Sequence, residues 1–339
     1  MPEPKRPSEF DLIARHFAPL TQGFPGACGL RDDAAVISPA PGNELVVKTD
    51  VVVGSVDFLP DTPPGLVARK ALRVNFSDLA AKGAVPRAYL LDLLLPPSFE
   101  EAWVAGFAAG LAEDQAEYGV HLIGGDTSST PGPVVVAVTA FGEAPFGRLV
   151  RRGGARPGDS VYVTGSIGDA ALGLDVQRGT LAPPDAGTAS FLLDRLRLPR
   201  PRVALGPALI GLANASIDVS DGLVADLRHL CEASGLAAII EARAVPLSEA
   251  ARAAIGADAG RLRRALTGGD DYEIVFTAPP AALPRIGELS RVSGVPVTAI
   301  GRIVEAAPGA PLVRVLDERG QPVRFASEGW THFGGEPNS

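Results

Sequence analysis

The chain has 339 residues, of which 46% are hydrophobic, and its 31 Lys and Arg against 39 Asp and Glu give a formal net charge of −8 at pH 7. This length and apolar content are enough for two compact domains. The acidic balance provides no basic field for binding nucleic acid, and no apolar run approaches the roughly 18 residues of a membrane-spanning helix. We therefore expect neither nucleic acid nor a membrane as a partner.

The N-terminal residues and the cysteines indicate a cytoplasmic protein. Met1–Phe10 lack the apolar segment of a signal peptide. The two cysteines, Cys28 and Cys231, form no Cys-x-x-Cys pair and are too few for a disulfide framework, which fits a reducing compartment.

In chain order, the first half predicts a capped helix followed by mixed α and β structure. Ser8 with Asp11 is typical of a helix N-terminus, and apolar residues recur at helical spacing as far as Leu20. The elements predicted next are strands at Ala34–Ile37 and Glu44–Val47, a helix at Leu66–Ala81 and a strand at Val134–Phe141.

A polar, basic and turn-rich segment, Arg148–Gly158, predicts the domain boundary, which we place near residue 150. Helices are predicted to begin at Asp169 and at Ser220-Asp221-Gly222. The predicted strands of the second half are Ser160–Val163, Tyr272–Thr277, Thr298–Ile303 and Val313–Leu316.

Acidic residues recur where apolar runs stop, beside glycine or hydroxyl residues. These clusters are Asp32-Asp33, Thr49-Asp50, Gly124-Gly125-Asp126, Asp218-Val219-Ser220-Asp221 and Gly268-Gly269-Asp270-Asp271. Clustered carboxylates repel one another unless a cation lies between them, and oxygen donors suit Mg²⁺. The alternative is ordinary turn and N-cap chemistry, in which Asp beside Gly is common.

Asp78 adds to this pattern because it lies on the apolar stripe of the predicted helix, with Val67, Ala71 and Val74. A buried carboxylate needs a metal, a cation or a set of hydrogen bonds. Lys70 or Arg73 could be its ion-pair partner instead of a metal.

Familiar nucleotide-binding and hydrolase motifs are absent from the sequence. It has no Walker loop, no protein-kinase signature, no complete Gly-x-Gly-x-x-Gly and no Gly-x-Ser-x-Gly elbow. Gly124-Gly125 would let a backbone approach a ligand closely, and Arg152 could reach a phosphate. A nucleotide would therefore be held by another architecture.

Several ordered segments together resemble the thiamine-monophosphate kinase family of the aminoimidazole-ribonucleotide synthetase-like superfamily. The resemblance runs from Glu9 to Phe333, and its most specific parts are Arg31–Ala35, Thr49-Asp50, Lys70–Ala81, Gly124–Thr127, Arg152–Asp159, Ile217–Leu223 and Gly268–Glu273.

The resemblance implies a two-domain fold of α/β and α+β type. An N-terminal α/β sheet domain, residues 1–150, would dimerise and bind metal and ATP, a C-terminal α+β domain would span 151–339, and the ATP cleft would lie between them. The implied enzyme is a cytoplasmic homodimer that uses several Mg²⁺ ions to move the γ-phosphoryl group of ATP onto thiamine monophosphate by direct in-line transfer.

The resemblance also implies roles for individual residues. The implied metal ligands are Asp33, Thr49, Asp50, Asp78, Asp126, Asp218 and Asp221, with Asp50, Asp126 and Asp221 as the catalytic carboxylates. The implied ATP contacts are Gly125, Asp126, Arg152 and Ser220, and the implied contacts to thiamine monophosphate are Asp57, Asp270 and Trp330.

Three positions depart from the family pattern. Lys48 stands where the family usually has Ser or Thr, and an ammonium cannot ligate Mg²⁺, so one metal position could be lost or filled through the backbone carbonyl. Asp57 replaces the usual His, and Asp270 replaces the usual Glu. Two alternatives stay open: another ATP-dependent synthetase of the superfamily, and a nucleotide-binding relative without turnover.

Overall fold

The structure, a computed structural model, describes residues 8–330, which divide into two compact units. The first unit comprises the described residues up to Leu79 together with Ala84–Gly147. The second comprises Ala80–Gly83 and the chain from Arg148 onward, so its main segment begins close to the boundary expected near residue 150.

The first unit is built on a mixed four-stranded sheet in the order β1-β4-β2-β3. Strand β4 pairs antiparallel with β1 and β2, and β2 pairs parallel with β3. The strand bounds are Asn43–Val53 (β1), Val85–Leu95 (β2), His121–Ser129 (β3) and Val135–Pro145 (β4). The strands predicted at Glu44–Val47 and Val134–Phe141 are thus confirmed.

Two long helices complete this unit. Helix α2 spans Pro64–Ala81, as the periodicity predicts, and helix α3 spans Glu101–Tyr118 and connects the parallel strands β2 and β3. Their axes come close because glycines meet: a Cβ on Gly110 would lie 2.3 Å from the carbonyl oxygen of Gly65. Buried Phe76 and Phe107 fill the apolar layer of these helices.

The N-terminal segment differs from its prediction in two respects. The capping box of Ser8 and Asp11 is present and begins helix α1 (Glu9–Leu12), but a π-helical turn, Ile13–Phe17, and a 3₁₀ turn follow, so there is no single regular helix. The strand predicted at Ala34–Ile37 is wrong. The backbone N–H of Val36 bonds to Gly26 O in an irregular segment rather than in a sheet.

The second unit is built on a six-stranded sheet in the order β10-β7-β9-β5-β8-β6. Its strands are Ser160–Thr164 (β5), Ala215–Asp218 (β6), Leu236–Glu241 (β7), Ile274–Ala278 (β8), Val297–Glu305 (β9) and Val313–Leu316 (β10). Its helices are Asp169–Gln177 (α4), Ala186–Arg197 (α5), Leu223–Ser234 (α6), Glu249–Ile255 (α7), Ala259–Thr267 (α8) and Leu283–Ser293 (α9).

The core of the second unit lies between the sheet and helix α6. Val163, Ile217 and Val275 from the strands pack with Leu227 and Leu230 from α6, and all five are buried. Strand β6 therefore ends next to the start of α6, with Asp218 at the junction. Between residues 8 and 330, no helix is long and apolar enough to cross a membrane.

Candidate functional site

The first unit contains a cavity of about 540 Å³ whose polar rim is made of carboxylates. Asp33 and Asp126, two of the implied metal ligands, both lie on this rim, and Asp32 lies beside them. Asp92 is a further rim residue that the sequence analysis missed. It faces Asp126 directly across the parallel pair β2–β3. An exposed charge inside an otherwise apolar strand was the signal that could have identified it.

Gly125 is required where β3 passes beside β2. Its φ is 144°, and a Cβ there would lie 1.8 Å from the carbonyl oxygen of Leu91. No other residue fits this backbone. The exposed Gly125 lines the cavity together with Gly124, so main-chain atoms form this part of its wall.

Asp50 and Asp78 meet on the opposite face of the same sheet. Asp50 pairs with Val138 of β4, and Val138 pairs with Leu91 of β2, the residue before Asp92. Because successive side chains of a strand point to opposite faces, Asp50 lies on the face opposite to Asp92 and Asp126. Lys48, two residues before Asp50, shares its face of β1, and helix α2 brings Asp78 to the same place.

Lys48 is the cation between these two carboxylates. Its Nζ lies 3.0 Å from Asp50 Oδ1 and 2.9 Å from Asp78 Oδ2. Burial works against the charged ammonium, but Asp78 and Asp50 outweigh it and raise the pKa of Lys48 above its ordinary value. Burial also raises the pKa of Asp50, and the attraction of Lys48 opposes that rise.

The cation that partners Asp78 therefore differs from both ion-pair partners considered for it. The Lys70 Nζ donates to the carbonyl oxygen of Asp57 at 3.0 Å, and the Arg73 guanidinium binds Asp114 of helix α3. Of the three partners expected for Asp78, which were a metal, a cation or a set of hydrogen bonds, the structure shows a cation, Lys48.

Thr49 faces away from that pair, whereas Asp57 lies close enough to Asp50 for its negative charge to add to the rise in the Asp50 pKa that burial causes. Thr49 alternates to the open face of β1, where its hydroxyl is 3.2 Å from Val138 O and also accepts from the Thr139 hydroxyl. Asp57 Oδ2 accepts from the backbone N–H of Val53 at 2.8 Å, which closes the turn after β1.

In the second unit, two glycine-rich loops pack backbone to backbone and bring four predicted residues together. The backbone N–H of Asp270 donates to Ser220 O at 2.8 Å, and that of Trp330 donates to Asp221 O at 3.0 Å. A Cβ on Gly269 would lie 2.1 Å from Ser220 O, so the approach requires glycine. Asp218, at the end of β6, enters the first of these loops.

Asp226 in the first turn of α6 holds this loop. Its Oδ2 accepts from the backbone N–H groups of Ser220, Asp221 and Gly222 at 2.9, 2.9 and 3.1 Å. Burial, with a smaller contribution from the Asp221 carboxylate, raises the pKa of Asp226 to about 7, and the three N–H bonds oppose the rise. Asp226 is not among the site residues predicted from the sequence.

The second loop has an unusual backbone. Asp270 and Tyr272 both have positive φ, 69° and 51°, and the Tyr272 hydroxyl donates to Asp270 Oδ1 at 3.1 Å. Just beyond, buried Glu273 accepts from Thr164 at 2.7 Å and from Arg195 at 3.1 Å. This charge network fixes the loop that carries Asp270.

Arg152 and the C-terminal residues complete the account of the predicted site. Arg152 is exposed where the chain runs antiparallel to the start of β6: Ser216 N–H donates to Arg151 O, and Gly154 lies beside Asn214. The chain segment that follows Arg152 thus leads away from the Asp218 end of β6.

Trp330 is half exposed, and the end of the sequence resemblance, Thr331–Phe333, lies outside the described residues.

The predicted metal ligands other than Thr49 fall into three sets, two in the first unit and one in the second, and the Thr49 hydroxyl bonds to Val138 and Thr139 instead. Within residues 8–330, no three carboxylate, imidazole or thiol side chains are placed to hold one metal ion. Mg²⁺ in phosphate-transferring sites commonly takes one or two carboxylates and completes its shell with water and phosphate oxygens. The oxygen donors on the cavity rim and at Asp218–Asp221 fit such an ion, whereas the pair bridged by Lys48 does not.

Both units resemble known domains. The family model for AIR synthase related protein, N-terminal domain, matches residues 31–144, and the corresponding C-terminal model matches residues 156–313. The thiamine-monophosphate kinase of Caulobacter vibrioides is 42% identical over 330 residues, covering 96% of this chain and 91% of that protein.

Solved structures agree with these matches. The crystal structure of thiamine-monophosphate kinase from Stenotrophomonas maltophilia K279a superposes with a TM-score of 0.77 at 39% identity, covering 84% of this chain and 89% of that one. AaThiL complexed with AMPPCP and TMP gives a TM-score of 0.75 at 32% identity, covering 89% and 91%.

Proposed function

Because the chain belongs to the AIR synthase related family and, within it, to the thiamine-monophosphate kinases, we propose that it transfers the γ-phosphoryl group of ATP to thiamine monophosphate, giving thiamine diphosphate and ADP. The observation that carries this proposal is the 42% identity that extends through 96% of the chain. The relative solved with an ATP analogue and TMP supports the same pair of substrates.

The side chains present suit a reaction that needs positioning more than proton abstraction. A phosphate monoester is already ionised near neutral pH, so its oxygen can attack without a strong general base. His16 and His229 are engaged with Glu101 and Glu232, and His121 packs against Phe24. The remaining obstacle is repulsion between the donor and acceptor phosphates.

We propose Mg²⁺ as the cofactor, held through Asp33 and Asp126 on the cavity rim, with Asp92 added, and through Asp218 and Asp221 in the second unit. When bound, Mg²⁺ supplies the positive charge that offsets the repulsion between two phosphate-bearing substrates. The carboxylates fix where that charge lies, and the Gly125 backbone allows a nucleotide to approach β3 closely.

In the second unit, Ser220 and Asp221 present their side chains from a turn that Asp226 holds in place, so little ordering is left to occur when the nucleotide binds. The exposed guanidinium of Arg152 is a phosphate contact of the bidentate kind.

The acceptor is assigned to Asp57, Asp270 and Trp330. Thiamine carries a cationic thiazolium ring, which a Trp ring attracts by about 0.5–2 kcal/mol. Trp330 has the exposed surface for such a contact, and its backbone is tied to Asp221. Asp270 is held at positive φ by its loop, which fixes the direction of its carboxylate.

The direct test is phosphorus NMR of the purified protein with ATP, Mg²⁺ and thiamine monophosphate. We expect the γ-phosphate resonance of ATP to disappear while the two resonances of thiamine diphosphate and those of ADP appear. Unphosphorylated thiamine is the matched acceptor control, and no diphosphate should form from it. ATP binding without diphosphate product would instead indicate a relative without turnover.

We further propose that the protein works as a cytoplasmic homodimer. Strand β1 is at one edge of its sheet, and Val47 and Val51 on its open face are more than half exposed. An exposed apolar strand at a sheet edge is an interaction surface unless something covers it. A second copy of the chain is the occupant that the proposal assigns to it.

A further inference from the structure

Lys48 occupies the centre of a charge cluster that the proposed function would otherwise assign to a metal. Two features of the fold bring its partners to it. The two-residue repeat of β1 places Lys48 and Asp50 on one face, and the helical stripe of α2 turns Asp78 toward that face. The contact is therefore fixed by two regular elements, at a position where all three side chains are partly exposed.

The ammonium fills the position that a divalent ion would need. Both carboxylate oxygens are within 3.0 Å of one nitrogen, so they are separated by at most twice that length. A magnesium ion binds oxygens at about 2.0–2.1 Å and would have to displace the nitrogen from between them. Two cations cannot share that space, and an ammonium has no lone pair with which to become a ligand itself.

The cluster is also partly neutralised without a metal. Lys48 offsets one of its two carboxylates, and Asp57 adds its charge nearby. By contrast, the described residues that line the cavity on the other face of the sheet, Asp33, Asp92 and Asp126 among them, include no lysine or arginine. A divalent cation is thus attracted more strongly to the cavity rim than to the Lys48 cluster.

We propose that Lys48 is a tethered cation that replaces one divalent ion, so that the Asp50–Asp78 pair of this chain binds no Mg²⁺. This inference rests on the proposed function in treating the two aspartates as part of the nucleotide site. In that site Lys48 is a positioning residue: it holds both carboxylates in place and supplies one permanent positive charge.

The test is a count of bound Mn²⁺, a paramagnetic substitute for Mg²⁺, by electron paramagnetic resonance in the presence of AMPPCP. The Lys48→Thr variant restores a hydroxyl ligand and removes the ammonium. We expect it to bind one more Mn²⁺ per chain than the wild type. The Arg291→Thr variant loses the same charge from an exposed ion pair with Glu288 on α9 and should bind the wild-type number.

Equal Mn²⁺ counts for the wild type and Lys48→Thr would overturn the proposal. Because Lys48→Thr could fail to fold without metal, a second measurement uses the wild type alone. Acetylation of Lys48 by a water-soluble activated acetate ester, which transfers its acetyl group to the lysine amine and releases its alcohol, is followed by mass spectrometry and should be unchanged between zero and saturating Mn²⁺. A rise with Mn²⁺ would mean that a metal displaces the ammonium, and the proposal would fail.

Neither measurement depends on turnover. If the wild type makes no thiamine diphosphate but Lys48→Thr still gains an ion, the proposed function fails and the inference about Lys48 stands. If thiamine diphosphate forms but the counts are equal, the opposite holds.

Discussion

Individual carboxylates in this protein have different roles, which depend on the groups that surround them. Asp78 and Asp50 are neutralised by Lys48, Asp226 accepts three backbone N–H groups, and Asp126 is exposed on the rim of a cavity. Residue type and spacing alone do not separate these roles. The distinction comes from partners that are distant in the sequence.

Asp126 provides the clearest prediction at this scale. The Asp126→Asn variant keeps the shape of the side chain but removes its charge from the cavity rim, so we expect kcat to fall at least 100-fold, as when charge stabilisation of a transition state is lost. Because Asp126 is exposed and outside the core, the thermal unfolding midpoint should stay within about 2 °C of the wild type.

The control for Asp126→Asn is Glu318→Gln, which removes one exposed negative charge from a turn in the second unit. It should leave kcat unchanged. The measurement compares the phosphorylation rates of both variants with that of the wild type at saturating ATP. Wild-type turnover by Asp126→Asn would exclude Asp126 from the proposed metal ligands.

At the level of elements, several segments with a clear apolar pattern are predicted from the sequence, whereas the regular elements α3 and β2 and the irregular N-terminal segment are not. Helix α2 was expected at Leu66–Ala81 and spans Pro64–Ala81, because its apolar spacing is local information. The apolar run Ala34–Ile37 has the pattern of a strand but pairs with no strand among residues 8–330, and strands need cross-strand pairing that a local pattern cannot report.

The same limit applies to the candidate site. The place of Asp78 on the apolar stripe predicts that it needs a metal, a cation or a set of hydrogen bonds. It does not predict which, because Lys48 is thirty residues away on a different element. Asp92 interrupts an apolar run, which the sequence shows, but its position opposite Asp126 follows only from the register of the two strands. Contacts of this kind follow from topology, which residue spacing does not determine.

The close packing of α2 on α3 leads to a prediction about stability. The Gly110→Ala variant would place its methyl group 2.3 Å from the Gly65 carbonyl oxygen, so the helices must separate. Overpacking of this kind costs about 1–3 kcal/mol, and at about 2–4 °C per kcal/mol we expect the thermal unfolding midpoint to fall by about 2–12 °C.

Gly287→Ala is the matched control, since Gly287 lies in helix α9 and the methyl group of an alanine there would meet no described atom within 4 Å. Alanine at this position should raise helix stability by about 0.5–1 kcal/mol. Circular dichroism melts of both variants provide the comparison, and equal midpoints for the two would contradict the packing account.

For the whole molecule, the open edge of the first sheet predicts the state of association. Light scattering coupled to size exclusion should give about twice the chain mass of 34.9 kDa. Val51 is 52% exposed on β1, and the Val51→Asp variant should reduce the mass to that of one chain, because a charge would be buried in the paired interface.

The control for the association measurement is Val292→Asp. Val292 is 69% exposed on α9 in the second unit, and its variant should keep the dimer mass. A wild type of single-chain mass, or a dimeric Val51→Asp variant, would refute assembly through this edge.

The bonds that Asp226 makes have a consequence for anion selectivity. A helix N-terminus with three converging amides ordinarily attracts free phosphate or sulfate. At the start of α6 those amides already hold a carboxylate of the same chain. The amides of Ser220, Asp221 and Gly222 are therefore already occupied and do not bind a simple inorganic anion. The neighbouring carboxylates of Asp218 and Asp221 repel a bare polyphosphate, so this turn favours a polyphosphate that arrives with its own counter-cation.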